Sequence, residues 1–216
     1  MNIVVTVTYN AHQHGILDAF FDCIRAQNDR DFILLIIDNA STDGTRDYLS
    51  KLDLPNLQII LNEENVGFGR ACNQGIAYAR DHGARHVTFI NNDVEFGPDL
   101  LGGMVASLEQ NHAAALSPLI TPFDRRDQIW FATGSFRWER GLSPYHDRIW
   151  QPLSKAPAGQ ILENDFVTGC CLVFHMDVFD VIPGFDDRFF VYWEDADLSM
   201  ELKCKGFKAI TDMSLV

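Results

Sequence analysis

Short apolar runs alternate with longer stretches of helical spacing throughout the first half of the sequence. The apolar runs are rich in β-branched residues and read IVVTVTY (3–9), FILLIID (32–38), LQIILN (57–62) and HVTFI (86–90). The stretches that follow them have the spacing of amphipathic helices and cover 15–27, 43–52, 69–83 and 98–111. Almost wholly apolar strands that alternate with helices form parallel sheets covered on both faces. We therefore predict an α/β fold with a Rossmann-like, mostly parallel central sheet and helices on both faces.

The second half of the sequence has weaker periodicity. Strands are predicted at 113–120, 165–175 and 207–213, and a helix at 194–206. The intervening stretch at 121–165 is rich in Pro, Trp and Arg and is predicted to be irregular. Because no low-complexity linker separates the two halves, we predict a single domain.

Composition excludes several classes of protein. The chain has 216 residues, of which 47% are hydrophobic, enough for one substantial core. A net charge of −13 argues against a nucleic-acid surface and means that a phosphate ligand would need helix N-termini, arginines or a metal ion nearby. Five cysteines without a CxxC pair predict reduced thiols, most of them in the core. We see no apolar run of membrane-spanning length and no signal peptide, and we expect a cytoplasmic protein.

Four successive predicted strands end in polar residues. Since parallel strands bind ligands at their carboxyl ends, these residues are candidates for a binding site. Each of them alone is more often a turn or a helix cap, as Ser41, Thr42 or Asp43 could be for the helix that follows. The four strand ends read Thr8-Tyr9-Asn10, Asp38-Asn39, Asn62 and Asn91-Asn92-Asp93.

The glycine-rich segment NVGFGRACNQG (65–75) follows the third strand. Gly67 and Gly69 would let the backbone approach a ligand at a helix start, and Arg70 adds a positive charge there. The segment is not GxGxxG, which disfavours a dehydrogenase, and the absence of GxxxxGK[ST] excludes a P-loop enzyme. Taken alone, it is a weak signal.

The fourth strand runs directly into INNDVEF. Asp93 could bind Mg²⁺ or Mn²⁺, with Asn91 contributing directly or through water and Glu95 pointing the same way on strand alternation. An Asx-turn that leads into the helix at Pro98 explains the same residues. The residues alone leave both interpretations open.

Three acidic residues crowd the start of the predicted helix in the second half. Acids in a first turn stabilise the helix dipole, which explains one or two of Glu194, Asp195 and Asp197. It does not explain the aromatic run at 189–193 that leads into them. A carboxylate beside an aromatic wall suits a general base that acts on a sugar hydroxyl, with Trp193 stacking on the sugar.

Together these motifs resemble the family 2 glycosyltransferases with the GT-A fold, and most of all the bacterial rhamnosyl- and galactofuranosyl-transferase-like members that build cell-surface polysaccharide. The resemblance covers nearly all of the chain except 121–160. The matching segments are VTYN, DNASTDGT, NVGFGRACNQGI, INNDV, FVTGCCLVFH and GFDDRFFVYWEDADLSMELKCKGFK.

The resemblance implies an inverting, metal-dependent transfer of a sugar from a dTDP- or UDP-sugar to a hydroxyl of a glycan or lipid-linked acceptor. Residues 1–111 would form the nucleotide-sugar-binding half and residues 112–216 the acceptor and catalytic half. Nucleic acid would not be a partner, and the protein could associate peripherally with the inner face of the cytoplasmic membrane.

The resemblance also assigns roles to individual residues. Asp195 would be the catalytic base with Glu194 beside it, Asp93 would bind Mg²⁺ or Mn²⁺, and Trp193 would contact the acceptor. The residues that would bind the nucleotide-sugar are Thr8, Tyr9, Asn10, Asp38, Asn39, Asn65, Gly67, Arg70, Asn73, Asn91, Asn92, Gly169 and Cys170.

Two departures from the family pattern keep other functions open. Asn91 replaces the first carboxylate of the family's DxD motif, and no histidine follows His175 where members usually supply a metal ligand. We therefore expect a chain truncated at its C-terminal end, and we keep as alternatives a non-catalytic GT-A-like module that binds nucleotide-sugar or positions a partner, and a glycoside hydrolase. Four aromatic residues of the irregular stretch are expected in the core rather than as sugar platforms: Trp130, Trp138, Tyr145 and Trp150.

Overall fold

The computed structural model describes residues 1–12 and 15–216. Within these ranges the strands are β1 (Asn2–Thr8), β2 (Phe32–Asp38), β3 (Leu57–Leu61), β4 (His86–Ile90), β5 (Ala115–Pro118), β6 (Gly134–Arg137), β7 (Ser143–His146), β8 (Ile161–Asn164), β9 (Cys171–His175) and β10 (Ala209–Asp212). The α-helices are α1 (Ile16–Ala26), α2 (Thr45–Leu49), α3 (Phe68–Asp81), α4 (Leu100–Gln110) and α5 (Glu194–Cys204).

Eight of the strands form one sheet in the order β3-β2-β1-β4-β9-β5-β10-β8. Six of them run parallel, while β8 and β9 run antiparallel to their neighbours. Strand β9 lies between β4 and β5 and pairs with β4 from His86↔His175 to Ile90↔Cys171. The predicted α/β fold with a mostly parallel central sheet is confirmed.

Helices cover both faces of the sheet because the apolar strands project side chains to both sides. Helices α3 and α5 pack on one face through residues such as Ile76 and Leu198. Helices α1, α2 and α4 pack on the other face, with Phe21, Leu49 and Met104 in that core. This arrangement leaves the carboxyl ends of β1, β2 and β4 open at one edge.

The strand predicted at 165–175 begins only at Cys171. The residues before it use their backbone groups elsewhere, since the Val167 N–H donates to Ser199 Oγ at 3.1 Å and the Gly169 N–H donates to Asp195 Oδ2 at 3.1 Å. Helix α5 therefore competes with the sheet for this segment. The stretch predicted to be irregular, 121–165, contains the β6–β7 hairpin and β8.

The core expectation is wrong for two of the four tryptophan and tyrosine residues of this stretch. Trp138 is 76% exposed in the turn that joins β6 to β7, and Trp150 is 50% exposed beneath the guanidinium of Arg125 at 5.3 Å. Trp130 and Tyr145 are half-buried.

The expectation of mostly buried thiols is also too broad, because only two of the five, Cys72 and Cys171, are fully buried. None of the described helices has the length and apolar character needed to cross a bilayer.

Candidate active site

The ends of β1 and β2 are joined through a fully buried carboxylate. Asp38 Oδ1 accepts from Arg46 Nε at 2.6 Å and from the Ser41 N–H at 3.0 Å, while its Oδ2 accepts from the Thr8 hydroxyl at 3.0 Å. The guanidinium of Arg46 compensates the charge that burial would otherwise make costly. The predicted site residues Thr8 and Asp38 thus meet, and Arg46 is a partner that the strand-end pattern did not identify.

A network of side-chain amides continues from β2 to the start of α3. Asn39 Nδ2 donates to the Gly67 carbonyl at 3.1 Å, and Asn62 Nδ2 donates to Asn39 Oδ1 at 2.8 Å. Asn62 also exchanges two hydrogen bonds with Gln74 of α3. Asn39 therefore sets the position of the Gly67 backbone, which links two motifs that are 28 residues apart.

Beside this network, the turn after β1 presents an exposed aromatic ring. Tyr9 is 54% exposed, and Asn10 adopts a left-handed φ of 51°. The Asn10 N–H donates to Ser41 Oγ and its Oδ1 accepts from the Thr42 N–H, both at 2.8 Å. These bonds hold Tyr9 at the edge where β1 and β2 end.

Gly67 lies where the glycine-rich segment contacts the loop before α5. It has a φ of 89°, its N–H donates to Asn65 Oδ1 at 3.0 Å, and the next N–H, that of Phe68, donates to the Phe190 carbonyl at 2.9 Å. Arg70 follows on the exposed side of α3, with its Nε 3.8 Å from Asp187. The glycine is required here both by its φ and by the close approach of the Phe190 backbone.

We expect Gly67→Ala to destabilise the protein by about 2–5 kcal/mol. This loss combines a steric clash with the roughly 1–3 kcal/mol of backbone strain for alanine at φ 89° and ψ 167°, a conformation almost confined to glycine. A Cβ at Gly67 would lie 2.5 Å from the Phe190 carbonyl oxygen. Gly83→Ala is the matched control, because Gly83 has a φ of 63° with nothing within 4 Å of the added atom. Urea unfolding of both variants measures the difference, and equal losses would contradict the Phe190 contact.

Asn73 holds the loop before α5 rather than an open position at the sheet edge. Its Nδ2 donates to the Phe185 carbonyl at 2.8 Å and to Asp187 Oδ1 at 3.0 Å, and its Oδ1 accepts from the Phe185 N–H at 2.8 Å. Any role of Asn73 toward a nucleotide would therefore act through this loop.

The motif Asn91-Asn92-Asp93 follows β4 at the same edge. The Asn91 N–H donates to the Cys170 carbonyl and Asn92 Nδ2 donates to the Val7 carbonyl, both at 2.9 Å. Asp93 is exposed, and no described residue donates a hydrogen bond to its carboxylate. The two amides thus fix the turn and leave Asp93 facing outward.

Asp195 lies at the same edge of the sheet, in the first turn of α5. Its Oδ2 accepts from the Gly169 N–H at 3.1 Å and its Oδ1 from the Ala196 N–H at 2.8 Å. Burial raises the pKa of Asp195 above its usual range. Burial, followed by the charges of Asp93 and Asp195, raises the pKa of the Cys170 thiol to about 12. The carboxylates of Asp93 and Asp195, which belong to different elements, therefore both lie near Cys170.

Glu194 points in another direction from its neighbour. It is buried, its Cβ lies against Gly69, and its charge acts on the buried thiol of Cys72 in α3. Burial and the charge of Asp195 raise the pKa of Glu194, and its Oε2 has no hydrogen-bond partner among the described residues. Glu194 is thus directed beneath α3, whereas Asp195 is directed toward Gly169 and Cys170.

The aromatic run before α5 is exposed and strained. Tyr192 and Trp193 have left-handed φ values of 66° and 75°, and Phe190, Tyr192 and Trp193 are all more than half exposed. Two consecutive non-glycine residues in this conformation are uncommon and persist only where the surroundings hold them. Exposed aromatic rings therefore precede the first turn of the helix that carries Asp195.

His146 of β7 is a neighbour of Asp195 that the sequence did not reveal. Its Nδ1 lies 2.9 Å from the Trp130 carbonyl, and its ring stacks on Phe166 at 5.7 Å. Its charge opposes the upward pKa shift of Asp195, while burial lowers the pKa of His146 itself. Because the surrounding stretch has little periodicity, no sequence pattern distinguishes this histidine.

Comparison with known proteins identifies the family of this chain. The model of Glycosyl transferase family 2 matches residues 3–182. The chain is 30% identical to the N-acetylglucosaminyl-diphospho-decaprenol L-rhamnosyltransferase of Mycobacterium tuberculosis over 96% of this chain and 72% of that protein. It is 32% identical to the putative teichuronic acid biosynthesis glycosyltransferase TuaG of Bacillus subtilis, over 45% of this chain and 38% of that protein.

Solved structures show the same fold. The mannosyltransferase PcManGT from Pyrobaculum calidifontis, in complex with GDP-Man and Mn²⁺, superimposes with a TM-score of 0.67 at 22% identity, over 98% of this chain and 54% of that one. GalNAc-T7 with UDP, GalNAc and Mn²⁺ superimposes with a TM-score of 0.76 at 16% identity, over 98% of this chain and 42% of that one. The chain therefore spans about half the length of these structures and has the GT-A fold.

Proposed function

Because this chain belongs to glycosyl transferase family 2 and is a glycosyltransferase, we propose that it transfers a sugar from a dTDP- or UDP-sugar to a hydroxyl of a glycan or lipid-linked acceptor, with inversion at the anomeric carbon. One observation carries the proposal. The turn that carries the exposed Asp93 is held to the Cys170 carbonyl by the Asn91 N–H at 2.9 Å, and the half-buried Asp195 of α5 accepts from the adjacent Gly169 N–H at 3.1 Å, so that both carboxylates flank one segment at the carboxyl edge of the sheet.

The donor nucleotide fits along the ends of β1 and β2 and the start of α3. Tyr9 offers an exposed ring to a base, and the Thr8–Asp38 and Asn39–Gly67 contacts keep this edge rigid. A helix N-terminus favours anionic groups, which suits a diphosphate in a protein of net charge −13. The remaining predicted donor residues at this edge are Asn10, Asn65, Arg70, Asn91, Asn92, Gly169 and Cys170, whereas Asn73 would act through the loop before α5.

The residues after β4 fit a Mg²⁺ or Mn²⁺ ion. Such ions commonly use one or two protein carboxylates and complete their shell with phosphate oxygens and water. Asp93 supplies an exposed carboxylate without a described hydrogen-bond donor, and the half-buried Asn91 lies next to it in the same turn. When bound there, the ion would offset the negative charge that develops on the departing nucleoside diphosphate.

Asp195 is the proposed general base. Its carboxylate accepts the proton of the acceptor hydroxyl while that oxygen bonds to the anomeric carbon from the face opposite the diphosphate, and the bond to the diphosphate oxygen breaks. The Gly169 and Ala196 N–H groups orient the carboxylate, and its raised pKa makes it a stronger base. Trp193 is the proposed stacking surface for the acceptor, while Glu194, directed beneath α3, assists only through its charge.

Similarity to the mycobacterial enzyme suggests the substrates. That protein is named as an L-rhamnosyltransferase that acts on N-acetylglucosaminyl-diphospho-decaprenol, and the similarity covers 96% of this chain. We propose L-rhamnose as the sugar transferred and a diphosphate-linked lipid saccharide as the acceptor, in the synthesis of cell-surface polysaccharide. The protein would then work in the cytoplasm, at the inner face of the membrane where such a lipid is accessible.

Nucleotide binding tests this proposal before any acceptor is known. We expect dTDP or UDP to raise the thermal unfolding midpoint, and Mn²⁺ to increase that shift, because a ligand that binds the folded state stabilises it by mass action. GDP serves as the comparison nucleotide. A donor screen read by mass spectrometry then distinguishes transfer from hydrolysis. The absence of a shift with every nucleotide, with or without Mn²⁺, would sink the proposal.

A further inference from the structure

Three potential metal ligands meet at the end of the sheet opposite the candidate active site. His86 is the first residue of β4, His175 is the last residue of β9, and Glu109 lies in the last turn of α4. One ligand atom from each lies within 4.8 Å of the other two. His86 and His175 face each other directly across the antiparallel pair. The cluster therefore depends on the fold, since three separate elements supply it.

This cluster is distinct from the proposed Asp93 site. His86 begins β4 and Asn91 directly follows it, so the two lie five residues apart along the strand, or about 16 Å at the rise of a β-strand. Nothing in the proposed sugar transfer uses His86, Glu109 or His175.

The contacts within the cluster suit a metal ion with mixed nitrogen and oxygen ligands. His86 Nε2 lies 2.7 Å from Glu109 Oε1, and the two imidazole rings are perpendicular with centroids 5.4 Å apart. Zinc bonds of about 2.0–2.1 Å place tetrahedral ligand atoms roughly 3.4 Å apart. This separation is longer than the 2.7 Å between His86 Nε2 and Glu109 Oε1 and shorter than the 4.8 Å within which all three ligand atoms lie. Small side-chain rotations would therefore bring the three atoms to the spacing that zinc requires.

The surroundings also orient the ligands. His175 Nδ1 accepts from the Asp177 N–H at 3.3 Å, which leaves Nε2 as the nitrogen directed elsewhere. When Nε2 binds a metal, Nδ1 carries the ring proton. The bond from the Asp177 N–H is then lost, and Asp177 Oδ2, 3.4 Å away, becomes the acceptor, as is usual for a zinc-binding histidine. Arg85 opposes binding, since its Nη2 donates to Glu109 Oε1 at 3.0 Å and shares that oxygen with His86.

We propose that His86, Glu109 and His175 bind one Zn²⁺ ion, with water in the fourth position. Two imidazole nitrogens and one carboxylate oxygen form a ligand set that zinc accepts and that Mg²⁺ and Ca²⁺ disfavour. The ion would join α4 to β4 and β9, and thus hold the inserted antiparallel strand at its C-terminal end.

Zinc titration of the whole chain, purified without a polyhistidine tag, tests the site. The measurements use Asp93→Ala protein, so that the proposed active-site ion does not contribute. We expect one equivalent of Zn²⁺ by calorimetry, tetrahedral absorption bands when Co²⁺ replaces zinc, and a higher unfolding midpoint with zinc. Adding Glu109→Gln or His175→Gln should weaken binding at least about tenfold and remove the zinc-dependent shift.

His82→Gln is the matched control, because His82 is an exposed histidine at the end of α3 that stacks on Tyr78. It should retain zinc binding. Circular dichroism and the unfolding midpoint without zinc show whether each variant folds. If His175→Gln does not fold, Glu109→Gln provides the test, because Glu109 is at a partly exposed position. Absence of zinc binding in Asp93→Ala protein, or equal affinity in the folded ligand variants and the control, would overturn the proposal.

Discussion

Replacing Asp195 by Asn is expected to lower sugar transfer by about 10²–10⁴-fold while donor binding stays near that of the native protein, since this is the usual contribution of a general base. The substitution keeps the shape of the side chain and one oxygen that can accept from the Gly169 N–H. It removes the group that takes the proton from the acceptor hydroxyl. The measurements are turnover with saturating donor and acceptor, and the thermal shift produced by the nucleotide.

Asp197→Asn is the control for this prediction, because Asp197 lies in the same first turn of α5 and carries the same charge. It is not part of the proposed site, so turnover should change little. Similar losses in the two variants would indicate a general effect on the helix terminus, and retained turnover in Asp195→Asn would refute the assignment of the base.

The pH dependence of the rate follows from the same assignment. Burial raises the pKa of Asp195, so this carboxyl is protonated at pH values where an exposed aspartate is ionised. Only the ionised form can accept a proton. We therefore expect kcat to fall as the pH decreases through the raised pKa of Asp195, with the midpoint of the acid limb above the ordinary range for aspartate. An acid limb at or below that range would contradict the assignment.

The second large effect is expected from Asp93→Ala, which should remove the Mn²⁺-dependent part of donor binding and lower turnover by at least about 10²-fold. A divalent ion contributes several kcal/mol to charge stabilisation on a leaving group, and roughly 1.4 kcal/mol corresponds to a tenfold change in rate. Asn91 is uncharged, so little negative charge remains in this turn to hold the ion. The thermal shift with UDP or dTDP, with and without Mn²⁺, measures the loss.

Glu95→Gln separates this effect from a general loss of negative charge. Glu95 lies two residues beyond Asp93, and its Oε2 is paired with Arg126 Nη2 at 2.6 Å. The sequence suggested that Glu95 could face the metal, whereas this ion pair directs it elsewhere. We expect Glu95→Gln to keep the Mn²⁺-dependent shift. Loss of that shift in Glu95→Gln, or its persistence in Asp93→Ala, would place the ion elsewhere.

The fold of the front half was predictable because burial on both faces leaves a simple pattern. Strands β1, β2 and β4 are mostly apolar, and a polar residue ends or directly follows each of them, namely Thr8, Asp38 and Asn91. Parallel strands bring such ends together whatever their separation in the sequence, so the meeting of Thr8 with Asp38 followed from topology alone.

The back half was less predictable because its contacts are between distant segments with short local patterns. The segment before β9 has the composition of a strand, but Ser199 and Asp195 of α5 take its backbone donors. His146 reaches the neighbourhood of Asp195 through the β6–β7 hairpin, whose four-residue strands are too short to show alternation. Tertiary contacts, rather than local propensity, decide the conformation of both segments.

The position of β9 has a consequence for how the chain folds. Residues 1–111 contain β4, which is buried on every residue, but the strand that covers its outer edge is Cys171–His175. During synthesis β4 therefore emerges about 80 residues before its partner, with one row of backbone donors and acceptors unpaired. Pairing at such long range is slow because loop closure must precede it. We expect nascent or truncated chains that end before β9 to be prone to edge-to-edge aggregation and to depend on chaperones until that strand is available.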